Sequence, residues 1–270
     1  MRAVPLDQTP DLALITLPTL ERIYSLWDTM AALDVSDADG TLHALLESMC
    51  QLLAAETAMC GVVVRMPRVD TNGADFIWRP RHVVRLNSRA KARASVAEAE
   101  RHLAAVGHEV WSADSVVGAG TWRAKRLCDV APPEWFKSQY YENVYTRMGL
   151  VDSVWVVCPI NMDVEIYVGI YRGAGHPVFE PHERDTALFA LRGLRWLLRR
   201  YLLSLGLDLA TAPLTEVERK VLRLVLHGRS PGNIAGELAQ SIHTTREHIQ
   251  GIYRKFNVTR RSALAALWMS

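Results

Sequence analysis

Residues 214–266 read LTEVERKVLRLVLHGRSPGNIAGELAQSIHTTREHIQGIYRKFNVTRRSALAA, and local signals place four short helices on them. Thr215-Glu-Val-Glu218 is a capping box, in which the Thr hydroxyl accepts an N–H three residues on and the Glu reaches back. Val217, Val221, Leu222, Leu224 and Val225 supply an apolar face, and Gly228 ends the helix. Ser230-Pro231 opens a second helix, a capping residue followed by a proline where the missing N–H costs nothing. Its Ile234, Ala235 and Leu238 face inward. After a tight break at Ala239-Gln240, Ser241 caps a third helix. There Thr245, Ile249, Ile252, Tyr253 and Phe256 recur at helical spacing as one buried stripe, while Arg246, Glu247, Gln250 and Arg254 occupy the opposite face. A fourth helix follows Thr259, with Ala263, Leu264 and Leu267 as its apolar side.

This is the physical design of a helix-turn-helix: one helix packed along a stripe and showing hydrogen-bonding side chains of a width that suits the major groove. Arg can bond guanine bidentately, Gln can bond adenine, and Glu can accept from cytosine N4. Arg254, Lys255, Arg260 and Arg261 would then meet phosphates. The alternative is a small helical domain whose basic face serves protein contacts alone. A sigma-factor-like domain shares the architecture, but no other polymerase-binding region accompanies it here.

These residues also resemble a LuxR-type helix-turn-helix domain over about a fifth of the chain. The carriers are Leu214, Thr215 and Glu218; Gly228 and Ser230; Ile234, Ala235 and Leu238; Ser241, Thr244, Arg246 and His248; and Ile252, Lys255, Val258 and Arg261. The resemblance implies that Arg246, Glu247 and Gln250 face bases and that Thr244, His248 and Lys255 lie near phosphate or backbone. With Ser241, Arg254 and Arg261 they make up the expected DNA-binding set. It also implies that the last helix pairs two copies. Departures from the pattern are Pro231 and Asn233 on the second helix, Gln240 for an aliphatic residue, Thr245 for Val, and the added negative charge of Glu247.

Charge divides the chain in the same place. From Pro213 onward there are nine Lys/Arg and four acids, a net of +5, so the +2 of the 270-residue chain leaves −3 for the rest. The 206–213 segment, Gly-Leu-Asp-Leu-Ala-Thr-Ala-Pro, has linker composition. The expected domains are 15–205, a GAF/PAS-like sensor and dimerisation domain, a 206–213 linker, and 214–270. A 49% hydrophobic, 22% charged composition reads as folded and globular. No apolar run approaches the roughly 18 residues of a membrane helix. The start, with Asp7, Asp11 and three prolines, is a poor signal peptide. Four scattered cysteines without C-x-x-C suit a reduced, cytoplasmic protein.

The long N-terminal part reads as α+β. Amphipathic helices are expected through Leu20–Ala31 and Leu42–Leu53, then strands at 60–66, 75–78 and 82–86 with a turn at 70–73. A helix is expected at 95–106, strands at 154–160 and 164–171 joined at Asn161-Met-Asp163, and one long helix from Pro181 toward Leu205. The order fits an antiparallel sheet with helices on one side, α+β, followed by an all-α four-helix domain. In organisation it resembles GAF- or PAS-like sensors.

Aromatic residues crowd this part. Trp78, Trp111, Trp122, Trp135, Tyr140, Trp155 and Tyr167 are the candidates for lining a small-molecule site. The competing account is that they fill the core, as aromatics do in any domain. The run Trp135 to Tyr145 with Asp152 is loosely similar to the Trp/Tyr/Asp signature of acyl-homoserine-lactone receptors, with one extra residue between Trp135 and Tyr140. There is no G-x-S-x-G, P-loop or H-E-x-x-H, so catalysis, cofactor and metal are not expected. The expected partners are double-stranded DNA, a small-molecule effector, a second copy of the chain and RNA polymerase, with no membrane. An interaction module that titrates another regulator is the competing class.

Overall fold

The computed structural model describes residues 7–34, 36–67, 76–86, 118–161, 163–208 and 212–269. Trp111, the expected 70–73 turn and the expected 95–106 helix lie outside the described residues, as does the side chain of Trp78. The chain divides into two compact units, Met1–Thr29 with His43–Arg195, and Met30–Leu42 with Trp196–Ser270.

The first unit is α+β. Helices α1 (Leu17–Ala32) and α2 (Ala38–Leu52) precede strands β1 (Thr57–Pro67), β2 (Phe76–Arg85) and β3 (Arg123–Arg126). A single-turn α3 (Leu127–Val130), strands β4 (Leu150–Pro159) and β5 (Val164–Gly173), and α4 (Pro181–Arg192) follow. The sheet runs β2-β1-β5-β4-β3 with antiparallel pairing throughout. All ten residues of β5, at its centre, are buried. Two of them are charged, and each is paired, as burial of charge requires. Glu165 receives the Arg123 guanidinium at 2.7 and 3.1 Å and the Gly120 N–H at 3.1 Å. Arg172 donates to Glu183 at 2.5 and 3.1 Å and to the Leu53, Ala54 and Pro177 carbonyls.

The structure corrects three expectations here. The two strands expected at 75–78 and 82–86 are one strand, β2. Pro80 is tolerated because β2 is an edge strand whose register shifts opposite Val62/Val63. Elements also lie on both faces of the sheet rather than one. Successive side chains of a strand point to opposite faces; Ser153 reaches Tyr145, whereas Asp152 accepts the Phe179 N–H just before α4.

The third correction concerns the long helix, which is broken into α4 and α5 (Arg195–Leu205) at Gly193-Leu194. Trp27 closes over that break: its indole donates to the Ala190 carbonyl at 2.8 Å, and a Cβ on Gly193 would stand 2.4 Å from its ring. Gly193→Ala is therefore expected to lower the unfolding free energy by about 1–3 kcal/mol through overpacking. Urea denaturation of the full chain checks this, and an unchanged midpoint would mean that Trp27 yields without cost.

Candidate nucleic-acid interface

The second unit contains α5 and four helices: α6 (Glu216–Leu226), α7 (Pro231–Glu237), α8 (Ile242–Lys255) and α9 (Arg261–Met269). Each of the first three opens on the cap read from the sequence. Thr215 and Glu218 form the reciprocal box, at 3.2 and 2.7 Å. Ser230 accepts the Asn233 N–H at 3.2 Å, and Ser241 the Thr244 N–H at 3.0 Å. One apolar core joins Leu203, Leu214, Val221, Leu222, Leu224, Val225, Ile234, Ile249, Ile252, Phe256, Leu264 and Trp268. Val217, expected on the apolar face, is exposed, and Trp268 takes a core place that the sequence reading did not assign, edge-on to Phe256 at 5.6 Å.

The stripe and the polar row on α8 separate as expected. Thr245, Ile249 and Ile252 are buried, with Phe256 just past the helix end, and Tyr253 is half-buried. Arg246, Glu247, Gln250 and Arg254 are exposed on the other side. Ser241 and Thr244 sit at the helix start with their hydroxyls 2.8 Å apart, and His248 is half-buried. Glu247 has His243 one turn back at 3.6 Å, which offsets its charge when that ring is protonated.

Two of the expected phosphate contacts have internal partners. Lys255 donates to Glu218 at 2.6 Å and to the Pro213 carbonyl at 2.9 Å. Arg261 donates to the Val225 carbonyl. Both therefore fix the helices against each other in this structure.

Two departures from the family pattern answer one another. The Gln240 amide donates to the Thr245 hydroxyl at 2.9 Å, and that hydroxyl donates to the Ser241 carbonyl at 3.1 Å. A polar pair thus replaces an aliphatic contact inside the turn that carries α8, beside Ala239 at φ 50.

In the first unit the expected ligand residues that are described do not form one group. Trp135, Tyr140, Tyr141 and Tyr145 pack together, with Tyr141 stacked on Tyr145 at 5.3 Å. Tyr145 meets Tyr171, and Tyr171 meets Trp155. Ser153 sits under them, hydrogen-bonded to Tyr145 and to the Trp155 indole, each at 3.0 Å. Tyr167 bonds the buried Glu165 at 3.3 Å. Trp122 lies elsewhere, its ring beneath the Arg192 guanidinium of α4. Asp152 spends its carboxylate on the Phe179 and Ser153 N–H groups, so it does not face the Ser153 cluster. Ser153 and Tyr171 were not singled out from sequence, although the alternation Ser153-Trp155 opposite Tyr171-Gly169 marks a shared face.

Burial pushes the Cys60 thiol up to about 12 and the Cys158 thiol higher still, which keeps both protonated. Among the described residues no helix is long and apolar enough to cross a membrane.

Residues 212–268 match the family described as GerE: Bacterial regulatory proteins, luxR family. With its caps, its four-helix core and its exposed α8 row, this segment is a LuxR-type helix-turn-helix domain. It is 45% identical over 51 residues to the HTH-type transcriptional regulator MalT of Serratia proteamaculans (strain 568), a match spanning 19% of this chain and 6% of that regulator. Two solved structures of SdiA are similar over most of their length. One, in complex with octanoyl-rac-glycerol, is 17% identical with a TM-score of 0.47 over 93% of this chain and 94% of the other. The second, from Escherichia coli in space group P6522, is 16% identical with a TM-score of 0.46 over 92% and 95%.

The Gln240–Thr245 pair allows a direct check. Thr245→Val strands the amide and is expected to destabilise the domain by about 1 kcal/mol. Combined with Gln240→Leu, which restores an apolar contact, most of that loss should return. A double-mutant cycle by denaturation that came out additive would show that the two side chains do not act together.

Proposed function

We propose that this chain is a transcription regulator that binds double-stranded DNA through α8 in the major groove, working as a homodimer on a two-fold site. The observation that carries the reading is the exposed row Arg246, Glu247, Gln250 and Arg254 on a helix whose opposite stripe is buried in a LuxR-type core. One short helix reads too few base pairs alone, which favours two copies. In this reading residues 15–205 sense a small molecule or partner, 206–213 link, and 214–270 read DNA. The domain acts in the cytoplasm beside RNA polymerase, without catalysis. The aromatic cluster around Ser153 is the part of the first unit suited to an effector with a polar group on an apolar body.

Footprinting of genomic fragments with the purified chain is expected to show discrete protected sites of two-fold symmetry. Arg246→Ala and Gln250→Ala should each cost about 1–3 kcal/mol at a selected site and relax base choice there. Arg254→Ala should weaken all sequences alike and lower the salt slope by about one. Lys255→Ala should act on domain stability first, because its ammonium holds Glu218. If no site is protected and Arg246→Ala changes nothing, the reading is wrong.

A further inference from the structure

Arg219 and Arg223 on the first helix of the DNA-reading domain and His227 at its C-cap stand in one row, at i, i+4 and i+8. Three aspartates of the 34–39 segment, which belongs to the same compact unit, meet them in reverse order. Asp39 takes Arg219 at 2.5 Å and Asp37 takes Arg223 at 3.3 Å. Asp34 pairs with the His227 imidazole, which also meets the Ser36 hydroxyl at 2.7 Å. The segment is built to present these acids. Asp34 accepts the Ser36 N–H at 2.9 Å and O–H at 2.8 Å, and Asp37 accepts the Gly40 N–H at 3.3 Å.

We propose that the 34–39 segment is an electrostatic latch on the DNA-reading domain, closed on α6 in this structure and opened by duplex DNA. The inference rests on the DNA-binding reading above.

Two quantities support it. Residues 196–270 carry a formal +6, and the three aspartates bring the whole unit to +3, so the closed latch offsets half of the charge that draws a phosphate backbone. The pairs are also at least partly exposed: Arg223 and Asp37 keep 50% and 41% of their side-chain surface, and Arg219 and Asp39 keep 19% and 64%. Exposed pairs are individually weak and screened by salt, so a polyanion competes with them effectively. Asp34 stays charged near neutrality. Partial burial works against the Asp34 charge, but the Ser36 and His227 hydrogen bonds outweigh it and lower its pKa to about 2. The contribution of Asp34 is therefore present above the ordinary carboxylate pKa and is lost only as pH falls toward about 2.

The test uses the full chain. Amide exchange of the 36–42 segment is measured for the wild type, for Asp39→Arg, and for Asp39→Arg combined with Arg219→Asp, without DNA and with saturating duplex. Exchange should speed up in the single variant, return to the wild-type rate in the swapped pair, and speed up in the wild type when duplex is added. Asp37→Asn with Asp39→Asn should bind duplex about tenfold more tightly at low salt, with the gain shrinking as salt rises. Failure of the swapped pair to restore protection overturns the latch, as does a segment whose exchange ignores bound duplex. If the wild type and the amide variant both fail to bind any duplex, the DNA-binding reading falls with the role given to the latch. The swapped pair then still decides whether the closed contact exists.

Discussion

At Glu218 one carboxylate closes the first turn of α6 and grips the last turn of α8, accepting the Thr215 N–H at 2.7 Å and the Lys255 ammonium at 2.6 Å. The pair is largely enclosed, with 22% of the lysine and 10% of the glutamate side chain exposed. Burial works against the charge of Glu218, but the bonds from Lys255 and Thr215 outweigh it, and its pKa is lowered. Its stabilisation is therefore present above the ordinary glutamate range and is lost as pH falls below it. Since α8 is held at its start by the Ser241 cap and at its end by this pair, the Arg246, Gln250 and Arg254 row keeps a fixed direction. Lys255, which the resemblance places near phosphate or backbone, is thus tied to the start of α6 in this structure.

The first unit solves a comparable problem at β5. A strand buried on every residue accepts Glu165 and Arg172 only because each has a full set of partners from neighbouring elements. Those partners order the two faces differently. Arg172 and Asp152 tie the α4 side, by way of Glu183 and Phe179. Ser153, Trp155 and Tyr171 face the aromatic cluster. Rings with a hydroxyl beneath them combine an apolar wall with a fixed polar point, which is the composition of small-molecule sites.

What could be read in the sequence was local. The caps at Thr215, Ser230 and Ser241 and the stripe of α8 depend on residues within a turn or two, so spacing alone displays them. The break at Gly193 depends on Trp27, far away in the chain, and no periodicity in the long leucine-rich helix announces it. Pro80 hid the continuity of β2 for a related reason, because its tolerance depends on edge position, which is a property of the whole sheet. The aromatic candidates were identified by type. Where each one goes is decided by the element that carries it, so Trp122, just before β3, parts from Trp135 on its short helical turn and Trp155 on β4.

Charge shows the same difference between order along the chain and order in space. Divided at Pro213, the sequence separates into −3 and +5, an acidic part and a basic reader. Divided by compactness, the helical unit holds +3, because Asp34, Asp37 and Asp39 go with it, and the remaining unit holds −1. The acids are not placed at random within that unit: they pair with Arg219, Arg223 and His227 and leave the exposed α8 row to itself. Arg246, Glu247, Gln250 and Arg254 therefore keep their hydrogen-bonding groups outward, apart from these pairs. Under the proposed DNA reading, such a separation would let the 34–39 segment act on general phosphate affinity and leave the choice of sequence to the α8 row.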